Sequence, residues 1–148
     1  MYLNMNQFSD LLGTDIQINV QLRLSAIVDN GVPTALVKYN NKMLLNQALD
    51  SSICINWGCG LLDSMRIQVA LIDKIYNDQK ETAIIVESLT VDGVELIPKY
   101  NNLIAYSNDH DIDTPTNYLG FNGIWELHIP IPFYQWLHNV QGQGLLIE

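Results

Sequence analysis

Charged residues are scarce in this chain of 148 residues, and basic residues are the scarcest. Asp, Glu, Lys and Arg make up 16% of the sequence, against roughly 25% in an average soluble domain. Seven Lys and Arg stand against 16 Asp and Glu, which gives a formal net charge of −9. A surface of this sign repels phosphate groups. We therefore expect no nucleic-acid partner and no binding to an anionic membrane.

Cysteine is equally sparse, since Cys54 and Cys59 are the two in the sequence. Two thiols without nearby histidines cannot supply the four ligands of a structural zinc site. We expect two reduced thiols, and a disulfide across the short segment between them is the alternative. No apolar run approaches the ~20 residues that a membrane-spanning helix needs. The N-terminus also lacks the basic and then apolar pattern of a signal peptide, so we expect synthesis in the cytoplasm.

Catalytic motifs are missing as well. The sequence contains no Gly-x-Ser-x-Gly elbow, no phosphate-binding glycine loop and no metalloprotease motif. Of the three histidines, His128 shares an outward strand face with Glu126, which is typical of a surface hydrogen bond. We expect that the chain is not an enzyme.

Alternation of apolar and polar residues runs through most of the chain. The clearest period-two run covers residues 16–26. Asn40-Asn41 and Asp92-Gly93 stand between later runs, where they favour tight turns. The pattern predicts a single all-β domain over residues 1–148, an antiparallel β-sandwich or jelly roll of about eight strands. The later runs cover residues 34–39, 42–45, 52–57, 64–72, 82–91, 94–97 and 124–129.

Aromatic residues concentrate in the last quarter of the chain, where a strand precedes one short helical turn. Pro132 opens this turn, and Gly142 and Gly144 are predicted to end it before a last strand at 145–147. The strand and its partners supply the predicted core, which comprises Trp125, Leu127, Ile129, Ile18, Val20, Leu22, Ile67 and Val69.

The first residues, 1–13, form an apolar arm that lacks the alternation of a strand. Its large side chains are Tyr2, Leu3, Met5 and Phe8. These side chains either cover an open end of the same sandwich or dock onto a neighbouring subunit. We treat the arm as an assembly element, because soluble domains avoid exposing such a patch.

The longest polar stretch, residues 101–122, is the expected binding loop. Asp109, Asp111 and Asp113 alternate within it, and residues two apart in an extended loop project to one side, where they could hold calcium. EF-hand spacing is absent, because the turn glycine is missing. We therefore prefer a solvated acidic loop and expect no metal or other cofactor, with calcium at these residues as the alternative.

Trp57 is the tryptophan that the sequence leaves outside the core. It stands beside Gly58 and Gly60 at the end of a predicted strand. A ring exposed there could stack on the apolar face of a sugar, so Trp57 is a candidate glycan contact.

One segment resembles small calcium-dependent carbohydrate-binding modules of the xylan-binding type. It reads Ile67-x-Val-x-Leu-Ile, then Asn77-Asp78, then Ile84-x-Val-x-x-Leu-x-Val-Asp-Gly, under a third of the chain. Between these parts the sequence has Gln79-Lys80-Glu81-Thr82, which departs from the Asp-Arg-Asn of such modules. The resemblance implies a β-sandwich that binds glycan, with calcium near the strand ends.

The last quarter resembles virion proteins of tailed phages. The matching residues are Trp125-Glu-Leu, Pro132-Phe-Tyr-Gln-Trp-Leu-His and Gly142-Gln-Gly-Leu-Leu. This resemblance implies a structural protein located on the virion, either a capsid decoration or a tail-associated protein, made in the host cytoplasm. Its partners would be copies of itself and other virion proteins.

Two functional hypotheses follow. The first is a non-enzymatic phage structural protein that acts through protein contacts, which agrees with the low charge and the apolar arm. The alternative is a carbohydrate-binding module that recognises a surface glycan through the 101–122 loop and Trp57.

Overall fold

Two antiparallel sheets and one C-terminal helix make up the part of the protein that the structure describes. The computed structural model describes residues 16–146, with side chains for residues 16–142, and this part contains ten strands, one 3₁₀ turn and one helix. The elements are β1 (Gln17–Val28), β2 (Thr34–Tyr39), β3 (Lys42–Ala48), β4 (Ile53–Gly60), β5 (Met65–Ile72), β6 (Thr82–Val91), β7 (Val94–Ile97), the 3₁₀ turn (Asn101–Leu103), β8 (Ala105–Asn108), β9 (Tyr118–Leu119), β10 (Gly123–Ile129) and α1 (Phe133–Leu146). The predicted β-sandwich is confirmed.

Each sheet contains five strands. The first has the order β4-β1-β6-β7, with β9 paired to β6, and the second has the order β3-β2-β5-β10-β8. Both predicted turns are confirmed as hairpin turns. Asn40 and Asn41 have φ of 48° and 68°, and Asp92 and Gly93 have φ of 51° and 77°. These left-handed conformations suit the right-handed twist of the flanking strands, and Asn, Asp and Gly adopt them at the lowest cost.

The core lies between the two sheets and contains every residue that alternation predicted for it. All eight predicted core residues are buried. Side chains alternate across a strand, so β1 turns Ile18, Val20 and Leu22 inward while Asn19 and Gln21 line its outer face. Phe133 and Trp136 of α1 join the same apolar cluster.

The predicted C-terminal helical segment is confirmed, but it is longer than the sequence predicts. It runs through Gly142 to Leu146, so its predicted end at Gly142 and Gly144 is wrong, and so is the predicted strand over the two residues of 145–147 that are described. Phe133, Trp136 and Leu137 repeat at helical spacing on its buried face. A glycine inside a helix costs only about 1 kcal/mol relative to alanine, which does not end a helix. No helix within residues 16–146 is long and apolar enough to cross a membrane.

The two cysteines lie on β4 as free thiols. They are five positions apart, so Cys59 points into the core while Cys54 points to solvent. Five residues of a strand span about 16 Å, well beyond the ~7 Å that a disulfide allows between Cα atoms. The strand geometry therefore excludes the alternative of a disulfide between them.

The predicted arm at residues 1–13 lies outside the described residues. Tyr2, Leu3, Met5 and Phe8 therefore remain predicted contact residues, and their role in assembly stays a prediction.

Three loops, 29–33, 73–81 and 109–122, share one end of the sandwich, which we call the loop end. Strand register places them together, since Val28 pairs with Thr82, and Gly123 pairs with both Leu71 and Asn108. Hydrogen bonds also connect these loops. For example, the Asn30 side chain donates to the Ile75 carbonyl oxygen at 2.8 Å. The opposite end carries the two hairpin turns and α1.

We expect Trp125→Ala to lower the free energy of unfolding by about 3–5 kcal/mol, because it opens a cavity in a fully buried site. Ile124→Ala is the matched control. This neighbour lies on the opposite face of β10 and is 46% exposed, so its truncation should cost within about 0.5 kcal/mol. Urea denaturation measures both. Equal losses for the two variants would contradict the register of β10.

Candidate functional site

Two adjoining depressions open at the loop end. The first, which we call the aromatic cleft, has a volume of about 420 Å³ and is lined by Lys74, Tyr76, Asn77, Asp78, Glu81, Tyr106, His110, Ile112, Thr114, Thr116, Tyr118, Gly120 and Phe121. The second, which we call the acidic groove, has a volume of about 480 Å³ and is lined by Tyr106, Ser107, Asn108, Asp109, Asp111, Ile112, Asp113, Asn122, Gly123 and Ile124. Both volumes are within the range of roughly 300–1,000 Å³ that is typical of ligand sites.

Three rings from two loops form one wall of the aromatic cleft. His110 stacks on Phe121, with ring centroids 4.3 Å apart and an interplanar angle of 25°. Tyr76 meets the His110 ring edge-on at 4.6 Å and remains 40% exposed. Contacts of this kind stabilise aromatic pairs by about 0.5–1.5 kcal/mol beyond area burial, so the three rings support one another.

The carboxylate of Asp109 holds the tip of the long loop against this wall. Its two oxygens lie 2.6 and 2.8 Å from the hydroxyl of Tyr76, and one lies 2.7 Å from Nδ1 of His110. The hydrogen bond from Tyr76, and then that from His110, lowers the pKa of Asp109. Partial burial and the bond to Asp109 raise the pKa of Tyr76, so its hydroxyl remains protonated and donates at neutral pH.

An ion pair between a buried lysine and a partly exposed glutamate forms the floor of the aromatic cleft. The side chain of Lys74 is only 4% exposed, and its Nζ donates to Glu81 and, at 2.6 Å, to the carbonyl oxygen of Gly120. Burial alone would raise the pKa of Glu81. The hydrogen bonds from Lys74 and Tyr118 outweigh that effect and lower it. Burial and the bond to Glu81 raise the pKa of Tyr118 to about 12.

Two further side chains form hydrogen bonds with backbone groups and so fix the segment that carries Phe121. The Tyr106 hydroxyl donates to the Phe121 carbonyl and accepts the Phe121 N–H at 3.0 Å. The Asn122 side chain accepts the N–H of Lys74 at 2.8 Å and donates to the Lys74 carbonyl at 2.9 Å. The loops at 73–81 and 109–122 are therefore joined before any ligand binds.

Gly123 allows the close approach of β10 and β8 beneath the acidic groove. A Cβ atom at this position would lie 2.2 Å from the Ser107 carbonyl oxygen and 2.6 Å from the Asn108 Cα. Both obstacles are backbone atoms of β8, so neither can move aside cheaply.

The predicted carboxylates all line the acidic groove, but they do not converge on a metal ion. Their convergence required an extended loop, whereas Asp111 adopts φ of 52° and Asp109 turns toward Tyr76 and His110. Within residues 16–146, no three His, Cys, Asp or Glu side chains are placed to hold a metal ion. The donor set at Asp109, Asp111 and Asp113 therefore does not fit calcium.

Trp57, the predicted glycan contact, lies away from both depressions. Trp57 lies on β4, where it pairs with Val20 of β1. Its side chain is half-buried, whereas the sequence predicts an exposed ring. Its ring packs against Tyr39 at 5.4 Å, and its Nε1 is buried without a hydrogen-bond partner among the described residues. Its role as a glycan contact stays a prediction.

Sequence reasoning located one side of the aromatic cleft and missed the other. The predicted binding loop, 101–122, supplies eight of the thirteen lining residues, but the wall and the ion pair also need Tyr76, Lys74 and Glu81 from another loop. The signals in that loop were Asn77-Asp78 of the segment that resembles carbohydrate-binding modules, and a lysine and a glutamate that flank them, which is too common a pattern to identify a site.

Comparison with known proteins finds solved structures with a similar fold. No model of a protein family and no curated protein matches the chain. Two solved structures do. The first, vCBM60 in complex with galactobiose, has a TM-score of 0.51 at 12% identity and covers 74% of this chain and 97% of its own. The described part of this chain therefore has the β-sandwich fold of a carbohydrate-binding module.

The second structure is the selenomethionine form of vCBM60. It has a TM-score of 0.52 at 12% identity and covers 76% of this chain and 91% of its own. It is described in terms of a circular permutation that links two families of calcium-dependent carbohydrate-binding modules. Neither comparison indicates a phage virion protein.

We expect Gly123→Ala to destabilise the fold by about 1–3 kcal/mol or more, because an added methyl group would clash with the backbone of β8. Gly142→Ala is the matched control. Its Cβ would meet nothing within 4 Å, and alanine favours a helix over glycine by about 0.5–1 kcal/mol. In thermal denaturation, the melting temperature should fall for Gly123→Ala and rise for Gly142→Ala. An unchanged melting temperature for Gly123→Ala would contradict the close contact between β8 and β10.

We expect Glu81→Gln to lower the melting temperature at pH 7, because it leaves the buried ammonium of Lys74 without its counter-charge. A carboxyl with a lowered pKa stabilises the fold above its unfolded pKa of about 4.3, and this stabilisation is lost as the pH falls through the folded pKa. The deficit should therefore shrink below pH about 4. Glu95→Gln, an exposed carboxyl on β7, is the control that should show no deficit at either pH. If Glu81→Gln lowered the melting temperature equally at pH 7 and below pH about 4, the result would contradict a stabilising ion pair.

Proposed function

We propose that this protein is a non-catalytic module that binds a carbohydrate in the aromatic cleft. The observation that carries the proposal is the composition of the cleft, in which a wall of three rings faces charged and hydroxyl groups across one opening. The structural neighbours support this second hypothesis better than the virion hypothesis.

The aromatic wall suits the apolar face of a sugar ring. Tyr76 and His110 are exposed on this wall, and Phe121 supports His110 from behind. Rings of this kind supply a large contact area at a low cost in conformational entropy, because they have only two side-chain torsions each. The bonds from Asp109, Tyr106 and Asn122 hold the wall in place before binding. This preorganisation further lowers the entropic cost of association.

Polar groups around the wall suit sugar hydroxyls. Thr114 and Asp78 are exposed in the lining of the cleft, where they can accept hydrogen bonds from hydroxyls or, for Thr114, also donate them. The ion pair of Lys74 and Glu81 keeps the floor polar without a net charge. A lining with both donors and acceptors on an apolar base is typical of small-molecule sites.

The structural neighbours support the same class of ligand. vCBM60 binds galactobiose and shares this fold, although fold alone does not determine function. That module belongs to a calcium-dependent group, whereas Asp109, Asp111 and Asp113 do not fit a calcium ion. We therefore assign glycan binding to the side chains of the cleft and expect it to persist in the presence of EDTA.

The virion hypothesis stays a prediction. The comparisons give it no support, and the arm on which it depended lies outside the described residues. Particle location, self-assembly and contacts with other virion proteins are likewise untested.

The proposal is tested by titrating the purified chain with galactobiose and with an array of neutral oligosaccharides, using calorimetry and array fluorescence. We expect binding to at least one neutral glycan. Tyr76→Ala should weaken it by about tenfold or more, equivalent to about 1.4 kcal/mol, because the exposed ring of the wall is lost. Tyr76→Phe keeps the ring and loses the bond to Asp109, so it should weaken binding less.

Tyr134→Ala is the control for this experiment. Tyr134 lies on α1 at the opposite end and is 45% exposed, so its removal should leave binding unchanged. Circular dichroism melts would confirm that each variant is folded. Absence of binding to every neutral glycan, or equal effects of Tyr76→Ala and Tyr134→Ala, would overturn the proposal.

A further inference from the structure

We propose that the acidic groove is a second sugar subsite, continuous with the aromatic cleft, so that the loop end binds a neutral oligosaccharide along its length rather than one sugar unit. This inference rests on the proposed function. Its starting point is that Tyr106 and Ile112 line both depressions. The two volumes, about 480 and 420 Å³, therefore adjoin across a shared wall.

Ile112 forms a fixed ridge between the depressions. The Asn108 side chain accepts the backbone N–H groups of His110 and Ile112 at 3.1 and 3.2 Å and donates to the Ile112 carbonyl at 2.8 Å. These bonds hold the turn in one conformation, although Ile112 itself is 44% exposed. An apolar side chain held in this way can pack on a sugar ring from either side.

The acidic groove offers the same combination of surfaces as the aromatic cleft, with an aliphatic base in place of rings. Ile124 is exposed on the outer face of β10, and Ser107 is exposed beside it on β8. The carboxylates of Asp111 and Asp113 also line the groove, where they can accept hydrogen bonds from hydroxyls. The base of the groove is therefore apolar and its rim accepts hydrogen bonds, as a sugar ring requires.

The charge of the groove determines the class of sugar. Among the side chains of residues 16–142, three carboxylates and no basic group line it, and the whole chain carries a net charge of −9. A carboxylated sugar placed here would meet like charges, which disfavours binding. The expected ligand is therefore a neutral oligosaccharide, and uronic-acid chains of the same length and shape are excluded.

Chain-length dependence tests the inference by calorimetry on the intact protein. The probes are galactose, galactobiose and neutral galactan oligosaccharides of up to six units, with oligogalacturonides as the anionic counterparts. If the best neutral ligand on the array is another sugar, its own length series replaces galactan. We expect affinity to rise by about tenfold or more between two units and the longer chains, because the second subsite binds a sugar that is already tethered.

Ser107→Tyr fills the groove without touching the aromatic cleft, and Ala105→Tyr is its matched control. Both residues are exposed on the outer face of β8, two positions apart, and Ala105 lies outside the groove. Ser107→Tyr should abolish the gain for longer chains and leave disaccharide affinity within about twofold, whereas Ala105→Tyr should preserve the gain.

The outcomes separate this inference from the proposed function. Binding that does not depend on chain length, or Ser107→Tyr behaving like Ala105→Tyr on long chains, would overturn the second subsite while glycan binding stands. Equal affinity for oligogalacturonides would overturn the preference for neutral sugars. If the parent protein binds no saccharide, the proposed function and the second subsite fail together.

Discussion

Burial of Trp125 between the two sheets connects the core of this protein to its candidate site. The indole is fully buried, and its Nε1 donates to the carbonyl oxygen of Thr116 at 2.8 Å. A buried indole N–H without a partner would be costly, so the residue that fills the core also anchors the long loop. From Thr116 the chain continues into β9, which pairs with β6, and then to Phe121 in the aromatic wall.

Side chains that bond to backbone atoms determine the shape of the loop end. Asn108, Tyr106 and Asn122 each bridge backbone groups that no strand satisfies. Such bonds are needed because a long loop packed against a sandwich would otherwise bury unpaired N–H and C=O groups. They also leave the exposed rings and hydroxyls free for a ligand, which is why a rigid framework and an open site occur together at the loop end.

Charge is distributed unevenly over this end of the molecule. The aromatic cleft contains its one cation, Lys74, as a buried partner of Glu81, and the acidic groove is lined by carboxylates alone among its charged groups. The excess of acidic residues in the sequence is thus partly located at the candidate site. A site of this charge is compatible with uncharged ligands.

The sequence determined the parts of the structure that depend on local pattern. Period-two alternation located eight of the ten described strands and all eight predicted core residues, because the inward face of a strand must be apolar wherever two sheets pack. The other two strands, β8 and β9, lie within the stretch 101–122 that was predicted to be a loop. Asn40-Asn41 and Asp92-Gly93 marked their hairpins, because few residues accept a positive φ. The end of α1 was mistaken, since packing of Phe133 and Trp136 offsets the small cost of glycine.

Only the tertiary structure determined the site. Tyr76 and Phe121 are 45 positions apart in the chain, yet their rings lie 6.2 Å apart because β5 and β10 pair and bring their loops to one end. No local pattern encodes that meeting, since it depends on strand order. The alternating carboxylates show the converse case. Asp109, Asp111 and Asp113 are neighbours in sequence, but the turn at Asp111 and the bond from Tyr76 to Asp109 direct them apart, because hydrogen bonds to distant residues override the spacing of an extended chain.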